Sequence, residues 1–278
     1  MLTKDGLGAD LPDSELSFTG PPIQVTFDGF LFDMDGTIID STGVVEKHWT
    51  HVGEEIGVDP EVILLSAHGR RSIDILKIVC PEKANWEYVC EMEARMPRLY
   101  AGDVQEIPGS RALLAALEKH HVPWLIVTSG TKQLVAGWLK ALGLPMPAYF
   151  VSAESVAVGK PDPTCYQMGL RSLARNDGPG DPKACAGQPV DHPVRPTDAD
   201  SVLVLEDAPA GIRAGKAAGC KVLGLLTSHT AREVIDAGPD WIVRDLTAVR
   251  VMNVERKSNN VVRTTLEISN TLIVPAKA

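Results

Sequence analysis

Short apolar runs alternate along this chain with segments in which apolar residues recur every three to four positions. The runs are three to five residues long and end in polar or glycine-rich turns, as buried strands do, and the intervening spacing is that of helices packed on one face. From Ile107-Pro108-Gly109 onward this predicts a helix over Ser110–Lys119, a strand over Trp124–Val127, a helix over Lys132–Leu142 and a short strand over Tyr149–Val151. The rhythm continues with helix Asp162–Leu173, strand Val202–Leu205, helix Ala210–Ala218, strand Lys221–Leu225, helix Ala231–Asp236 and strand Trp241–Val243. Strands separated by helices imply βαβ crossovers and a parallel sheet.

Upstream, Ile23 to Phe32 reads as one strand with a bend at Asp28-Gly29. Val44, Val45, Trp49, Val52 and Ile56 then fall at helical spacing, followed by helical pieces around Glu61–Ala67, Ser72–Val79 and Trp86–Tyr100. No strand alternation interrupts this block, so it is expected to be an insert of helices directly after the first strand. The expected fold is α/β: a Rossmann-like parallel-sheet core (residues 23–42 and 108–252) carrying an inserted α-helical cap (43–107). Residues 1–22, rich in acids and without an apolar core, are expected to be a mobile tail and not a signal peptide. Residues 174–200, dense in Pro and Gly, are expected to be a long surface loop. Residues 253–278 form an extension with a possible strand at Val261–Ile268 that the pattern leaves unplaced.

Composition narrows the partners. A formal net charge of −9 argues against nucleic acid or an anionic membrane surface. No apolar run reaches the ~18 residues of a membrane span. The five cysteines are scattered, without a C-x-x-C pair, which suits reduced thiols in the cytoplasm better than zinc or a disulfide framework. A monomer acting on a small molecule is expected.

The candidate chemistry sits where strands run out. Phe30-Leu31-Phe32-Asp33-Met34-Asp35-Gly36-Thr37 ends a buried strand on two carboxylates, and in extended chain residues i and i+2 face the same side. Such a pair repels unless a cation or a shared proton intervenes; an Asp pair that merely forms a turn before Gly is the plain alternative. Thr128-Ser129-Gly130 follows another apolar run and offers a hydroxyl and free backbone N–H groups, as a phosphate cradle or as a helix N-cap. Lys160 is held between Gly159 and Pro161, unusual for a residue that serves only solubility. Glu206-Asp207 ends a third apolar strand, and two strands ending in acids are hard to explain by capping alone. Oxygens from Asp33, the Asp35 backbone and Asp207 suit Mg²⁺. An EF-hand, a phosphate-binding P-loop, a G-x-S-x-G elbow and H-E-x-x-H are all absent or wrongly spaced.

Taken in order, Asp33–Thr37, Thr128, Lys160 and Glu206-Asp207 resemble the four motifs of the haloacid dehalogenase superfamily of phosphatases. Val127–Thr131, Gly159-Lys160-Pro161 and Glu206–Gly211 with Gly215–Lys221 look like its glycerol-1-phosphatase and 2-deoxyglucose-6-phosphatase group. The resemblance implies a Mg²⁺-dependent phosphatase in which Asp33 is the nucleophile and forms an aspartyl-phosphate, and Asp35 is the general acid and base. It further implies that Asp33, Asp35 and Asp207 hold the metal, with Glu206 acting through water. Thr128, Ser129, Gly130 and Lys160 would bind the phosphoryl group. Substrate choice is expected in the cap, where His68-Gly69-Arg70-Arg71-Ser72 is the segment placed to face the site and Arg70 or Arg71 to reach substrate. His48 and Trp49 are read as core residues. A phosphosugar mutase is the alternative on the same core, disfavoured because no cap residue declares itself as the general base it needs. A binding module without catalysis is a distant alternative, since Asp33, Asp35 and Lys160 all stand.

Overall fold

The computed structural model describes residues 16–67, 69–174, 198–257 and 261–273. Residues 1–15 of the expected tail, His68, residues 175–197 of the expected loop, and 258–260 and 274–278 of the extension lie outside the described residues.

Six strands form the central parallel sheet: β2 (Gly29–Phe32), β5 (Trp124–Val127), β6 (Phe150–Val151), β7 (Val202–Glu206), β8 (Lys221–Leu225) and β9 (Trp241–Val243). Their order is β6-β5-β2-β7-β8-β9. Helices α5 (Ser110–Lys119), α6 (Lys132–Leu142), α7 (Thr164–Ala174), α8 (Pro209–Ala217) and α9 (Ala231–Ala237) connect them. Because strand side chains alternate, each strand feeds two cores. Phe30, Phe32, Ile126, Leu203, Leu205 and Leu223 pack on one face with α5 and α6. Leu31, Leu125, Val127, Val202, Val204 and Val222 pack on the other with α7, α8 and α9. Burial on both faces is why these strands read as continuous apolar runs. The strand order turns back at β2, with β5 to one side and β7 to the other, so the carboxyl end of β2 is the topological switch point where such sheets hold ligands.

The expected single strand over Ile23–Phe32 is two strands in different sheets. β1 (Ile23–Phe27) pairs antiparallel with β11 (Val262–Ile268), which pairs in turn with β10 (Val249–Arg256). Asp28 makes the break, its N–H donating to Ser201 O at 2.8 Å. The strand that sequence left unplaced is therefore the middle of a three-stranded antiparallel sheet, and Leu266 and Ile268 are buried in the same core as Phe30. Ser17 and Gly20 hydrogen-bond through their backbones to Ile273 and Thr271.

Between β3 (Ile39–Asp40) and β4 (Gln105–Glu106), which pair with each other, lie four helices: α1 (Thr42–Ile56), α2 (Pro60–Ala67), α3 (Ser72–Val79) and α4 (Trp86–Leu99). They have an apolar core of their own, built from Trp49, Val52, Ile63, Ile73, Leu76, Val89 and Met92. Pro97 of α4 sits against Gly137 of α6, where a Cβ would collide with its ring. None of the described helices is long and apolar enough to cross a membrane.

Candidate active site

The loops after β2, β5, β6 and β7 converge on one pocket, closed from the other side by α1, α3 and α4. Asp33 is the first residue beyond β2, and its N–H still donates to Leu205 O of β7 at 3.0 Å, so the ladder fixes its backbone. Lys160 lies at the centre. Its Nζ is 2.5 Å from Asp33 Oδ1, 2.6 Å from Glu206 Oε1 and 3.1 Å from Val127 O. Glu206, fully buried, also accepts from Tyr166 Oη at 3.2 Å and from Ala208 N–H at 2.8 Å. With both oxygens accepting hydrogen bonds, one of them from an ammonium, its burial next to a lysine is electrostatically sound.

Asp207 accepts from Thr37 Oγ1 at 3.0 Å and from Ser228 Oγ. Gly36, at φ +80°, lies so close to this carboxylate that a Cβ would overlap it. The D-x-D-G turn thus needs glycine twice over, for conformation and for room. Gly211 plays the same spatial part for Glu206. Asp35 accepts from Ser41 Oγ at 2.6 Å. The Thr128 N–H is tied to Val151 O at 2.9 Å, and its Oγ1 accepts from Gly130 N–H at 3.0 Å, leaving the hydroxyl hydrogen to donate elsewhere.

Four carboxylates around one lysine leave the strand ends strongly anionic, and burial makes that costly. Burial, and then the neighbouring acids, push the Asp33 carboxyl well above its ordinary range, although Lys160 opposes them. Burial, followed by the Glu206 charge, raises Asp207 to about 7. Burial raises Asp35 too, against the hydrogen bond from Ser41. Lys160 moves upward despite burial, because Asp33 and Glu206 hold its charge. One carboxylate oxygen each from Asp33, Glu206 and Asp207 lies within 4.8 Å of the others. An all-oxygen donor set with excess negative charge fits a hard divalent cation.

Asp33, Asp35, Thr128, Ser129, Gly130, Lys160, Glu206, Asp207 and Arg70 all line the pocket. Arg71 does not, contrary to expectation. It is buried, with Nη1 donating to Ala153 O (3.3 Å) and Val156 O (2.7 Å), Nη2 to Ala157 O (3.0 Å) and Nε to Asp74 (2.6 Å). Four of its five donors are committed, three of them to the loop that leads to Lys160 and one to Asp74, so it secures that loop from a position outside the pocket lining. His48 and Trp49, read from sequence as core, are buried yet line the pocket, and His48 Nε2 has no hydrogen-bond partner.

Sequence reasoning also passed over Ser41, Glu93, Ser228 and His229, which line the pocket together with Ser72, the last residue of the segment expected to face the site. For Ser228 and His229 a signal was available. They follow the apolar run of β8, and the strand-end logic that found the other motifs applies to them equally. Glu93 had none, because its helix meets the core only in three dimensions. Ser129 Oγ donates to Gly69 O at 3.2 Å, and Thr131 N–H to Glu93 Oε2 at 2.7 Å, so the Thr128 turn itself is stitched to the helical block.

The comparisons with known proteins agree with this geometry. The family described as haloacid dehalogenase-like hydrolase matches residues 27–219. Glycerol-1-phosphate phosphohydrolase 2 of Saccharomyces cerevisiae is 35% identical over 240 residues, 85% of this chain and 89% of that protein. 2-Deoxyglucose-6-phosphate phosphatase 1 of the same yeast is 33% identical over 258 residues, 87% of this chain and 95% of its own length. A hydrolase from Pseudomonas syringae, 24% identical, shares the fold with a TM-score of 0.60 over 78% of this chain and 94% of its own. The chain belongs to the haloacid dehalogenase-like hydrolases.

Proposed function

We propose that the protein is a Mg²⁺-dependent phosphomonoesterase acting on small polyol or sugar phosphates. The observation that carries this reading is Lys160, buried between Asp33 and Glu206 with Asp207 and Asp35 beside them. The substrate class follows the two yeast relatives, which are named for glycerol 1-phosphate and 2-deoxyglucose 6-phosphate.

Lys160 holds Asp33 by Oδ1, which leaves Oδ2 to attack phosphorus in line. The ester P–O bond breaks as the Asp33 O–P bond forms, and Asp35 delivers a proton to the departing alkoxide. A carboxyl raised by burial is suited to that donation, and once ionised it can take a proton from the water that hydrolyses the aspartyl-phosphate. The free hydroxyl hydrogen of Thr128 and the Lys160 ammonium offset charge on the phosphoryl oxygens. When bound, Mg²⁺ would offset the remaining carboxylate charge and polarise the phosphoryl group, with Asp33, Asp207 and the Asp35 carbonyl as its protein ligands. The helical block over residues 43–107 is the cap that covers the alcohol portion of the substrate. Hydrolysis is favoured over a mutase reaction because the two yeast relatives are named a phosphohydrolase and a phosphatase.

Phosphate release from glycerol 1-phosphate, 2-deoxyglucose 6-phosphate and hexitol phosphates, with and without Mg²⁺, tests the reading. Wild type is expected to release phosphate from at least one of them, EDTA to abolish release, and Asp33→Asn to lower it by at least about 10³-fold. Release that survives either treatment overturns the mechanism. Release from none of these esters overturns the function.

A further inference from the structure

Glu93 is a buried carboxylate, 3% exposed, for which the mechanism has no use. It projects from α4 into the seam between the helices and the core. Oε2 accepts from the Thr131 N–H at 2.7 Å, and Oε1 accepts from Ser72 Oγ at 2.5 Å. The first of these bonds has a fixed direction, because a backbone N–H can only donate. An ionised carboxylate can only accept, so the second is fixed as well, and the single hydrogen of Ser72 points at Glu93. Ser72 is itself nine-tenths buried and lines the pocket, beside Arg70. With its hydrogen committed, it has only lone pairs to present to a ligand.

We propose that Ser72, polarised by Glu93, is a specificity-determining acceptor that reads a hydroxyl group on the alcohol portion of the substrate. This rests on the phosphatase reading above and deepens it. A leaving group carrying O–H close to the phosphate satisfies Ser72. One carrying a carboxylate in the same place sets lone pair against lone pair, and one carrying only methylene leaves a buried acceptor unpaired. Sites built around a hydrogen bond reject analogues that lack it, because the orphaned protein group loses its partner water as well. The site therefore selects polyol phosphates over carboxylated and purely alkyl phosphates of the same length.

The polarity can be reversed by one substitution. In Glu93→Gln the Thr131 N–H still requires an acceptor, which orients the amide oxygen toward it and the amide nitrogen toward Ser72. Ser72 must then accept from Gln, and its own hydrogen becomes free to donate into the pocket. The pair thus offers a switch of selectivity and not merely a loss.

The test measures kcat/KM at pH 8 for glycerol 1-phosphate, phosphoglycolate and n-propyl phosphate in wild type, Ser72→Ala and Glu93→Gln. At that pH Glu93, raised by burial to about 7, is mostly ionised. Ser72→Ala is expected to lower the ratio of glycerol 1-phosphate to n-propyl phosphate about tenfold. Glu93→Gln is expected to lower the ratio of glycerol 1-phosphate to phosphoglycolate by about tenfold or more. Both ratios staying within twofold of wild type, or all three substrates falling together, overturns the proposal. Wild type inactive on these three esters and on 2-deoxyglucose 6-phosphate and hexitol phosphates overturns the phosphatase reading instead, and the two failures are thus told apart.

Discussion

The strand side of the pocket and the helical side differ in how their polar atoms are partnered. At the strand ends, Asp33 and Glu206 share Lys160, Asp207 takes two hydroxyls and Asp35 takes Ser41. Charge is concentrated there and every group is held. On the helical side charge is sparse: Arg70 is exposed, His48 has an unpartnered ring nitrogen, and Ser72 and Glu93 bond each other. In the proposed function, the strand side would hold a group of fixed shape and charge, the phosphoryl, and the helical side would use hydrogen-bond direction to discriminate among alcohols that differ little in charge.

The strongest way to break this contrast is to remove the central cation. Lys160→Met is expected to reduce phosphate release by at least about 10³-fold. It should also destabilise the fold by about 3–5 kcal/mol, because Asp33 and Glu206 are left buried without their counter-charge. Proton uptake relieves that repulsion, so the deficit in urea unfolding should be smaller at pH 5 than at pH 8. A variant as stable as wild type at both pH values would mean that the lysine is not the keystone of the strand side.

Metal binding sharpens the same point. Asp207 has a folded-state value of about 7, above the ~3.9 of an unfolded Asp, so its favourable contribution is present below about pH 4 and is lost as pH rises to about 7. A divalent cation should restore what the metal-free protein loses. At a fixed concentration a hundredfold above its Kd at pH 8, Mg²⁺ should add about 2.7 kcal/mol at that pH, and the same concentration should give a smaller gain in Tm at pH 5, where protons compete for the carboxylates. An equal gain at both values would separate the metal from these carboxylates.

The smallest expected effect lies on the helical side and has the opposite sign. His48→Leu removes a buried nitrogen that has no partner, and is expected to stabilise the protein by about 1 kcal/mol, or roughly 2–4 °C in Tm. A fall in Tm would show that the imidazole is held in a way the strand-side comparison does not capture.

What was legible in the sequence divides along the same boundary. Asp33, Thr128, Lys160 and Asp207 each follow an apolar run or sit in a constrained loop, so local pattern announces both the strand and the group at its end. The parallel topology follows from the alternation of elements. The pairing of β1 with β11 was not legible, because antiparallel partners some 240 positions apart leave no mark on either stretch. Nor could sequence separate Arg70 from Arg71, adjacent and chemically identical. Only the packing of α3 shows that one faces the pocket and the other is consumed by the carbonyls of residues 153–157. Glu93 lies on a helix whose sequence pattern shows only which face is buried.

The pairing of Ile23–Phe27 with Thr264–Ile268 also bears on how the protein is made. On a ribosome adding ~5–20 residues per second, β1 emerges roughly 10–50 s before its partner. The strands that flank Asp33, β5 and β7, are translated well before β11, so the nascent chain has all the segments of the pocket's strand side while β1 is still unpaired. That strand is five residues long and alternates exposed Gln24 and Thr26 with half-buried Ile23 and Val25 and buried Phe27. Its brevity and mixed polarity limit the wait's cost in stray pairing with other nascent chains.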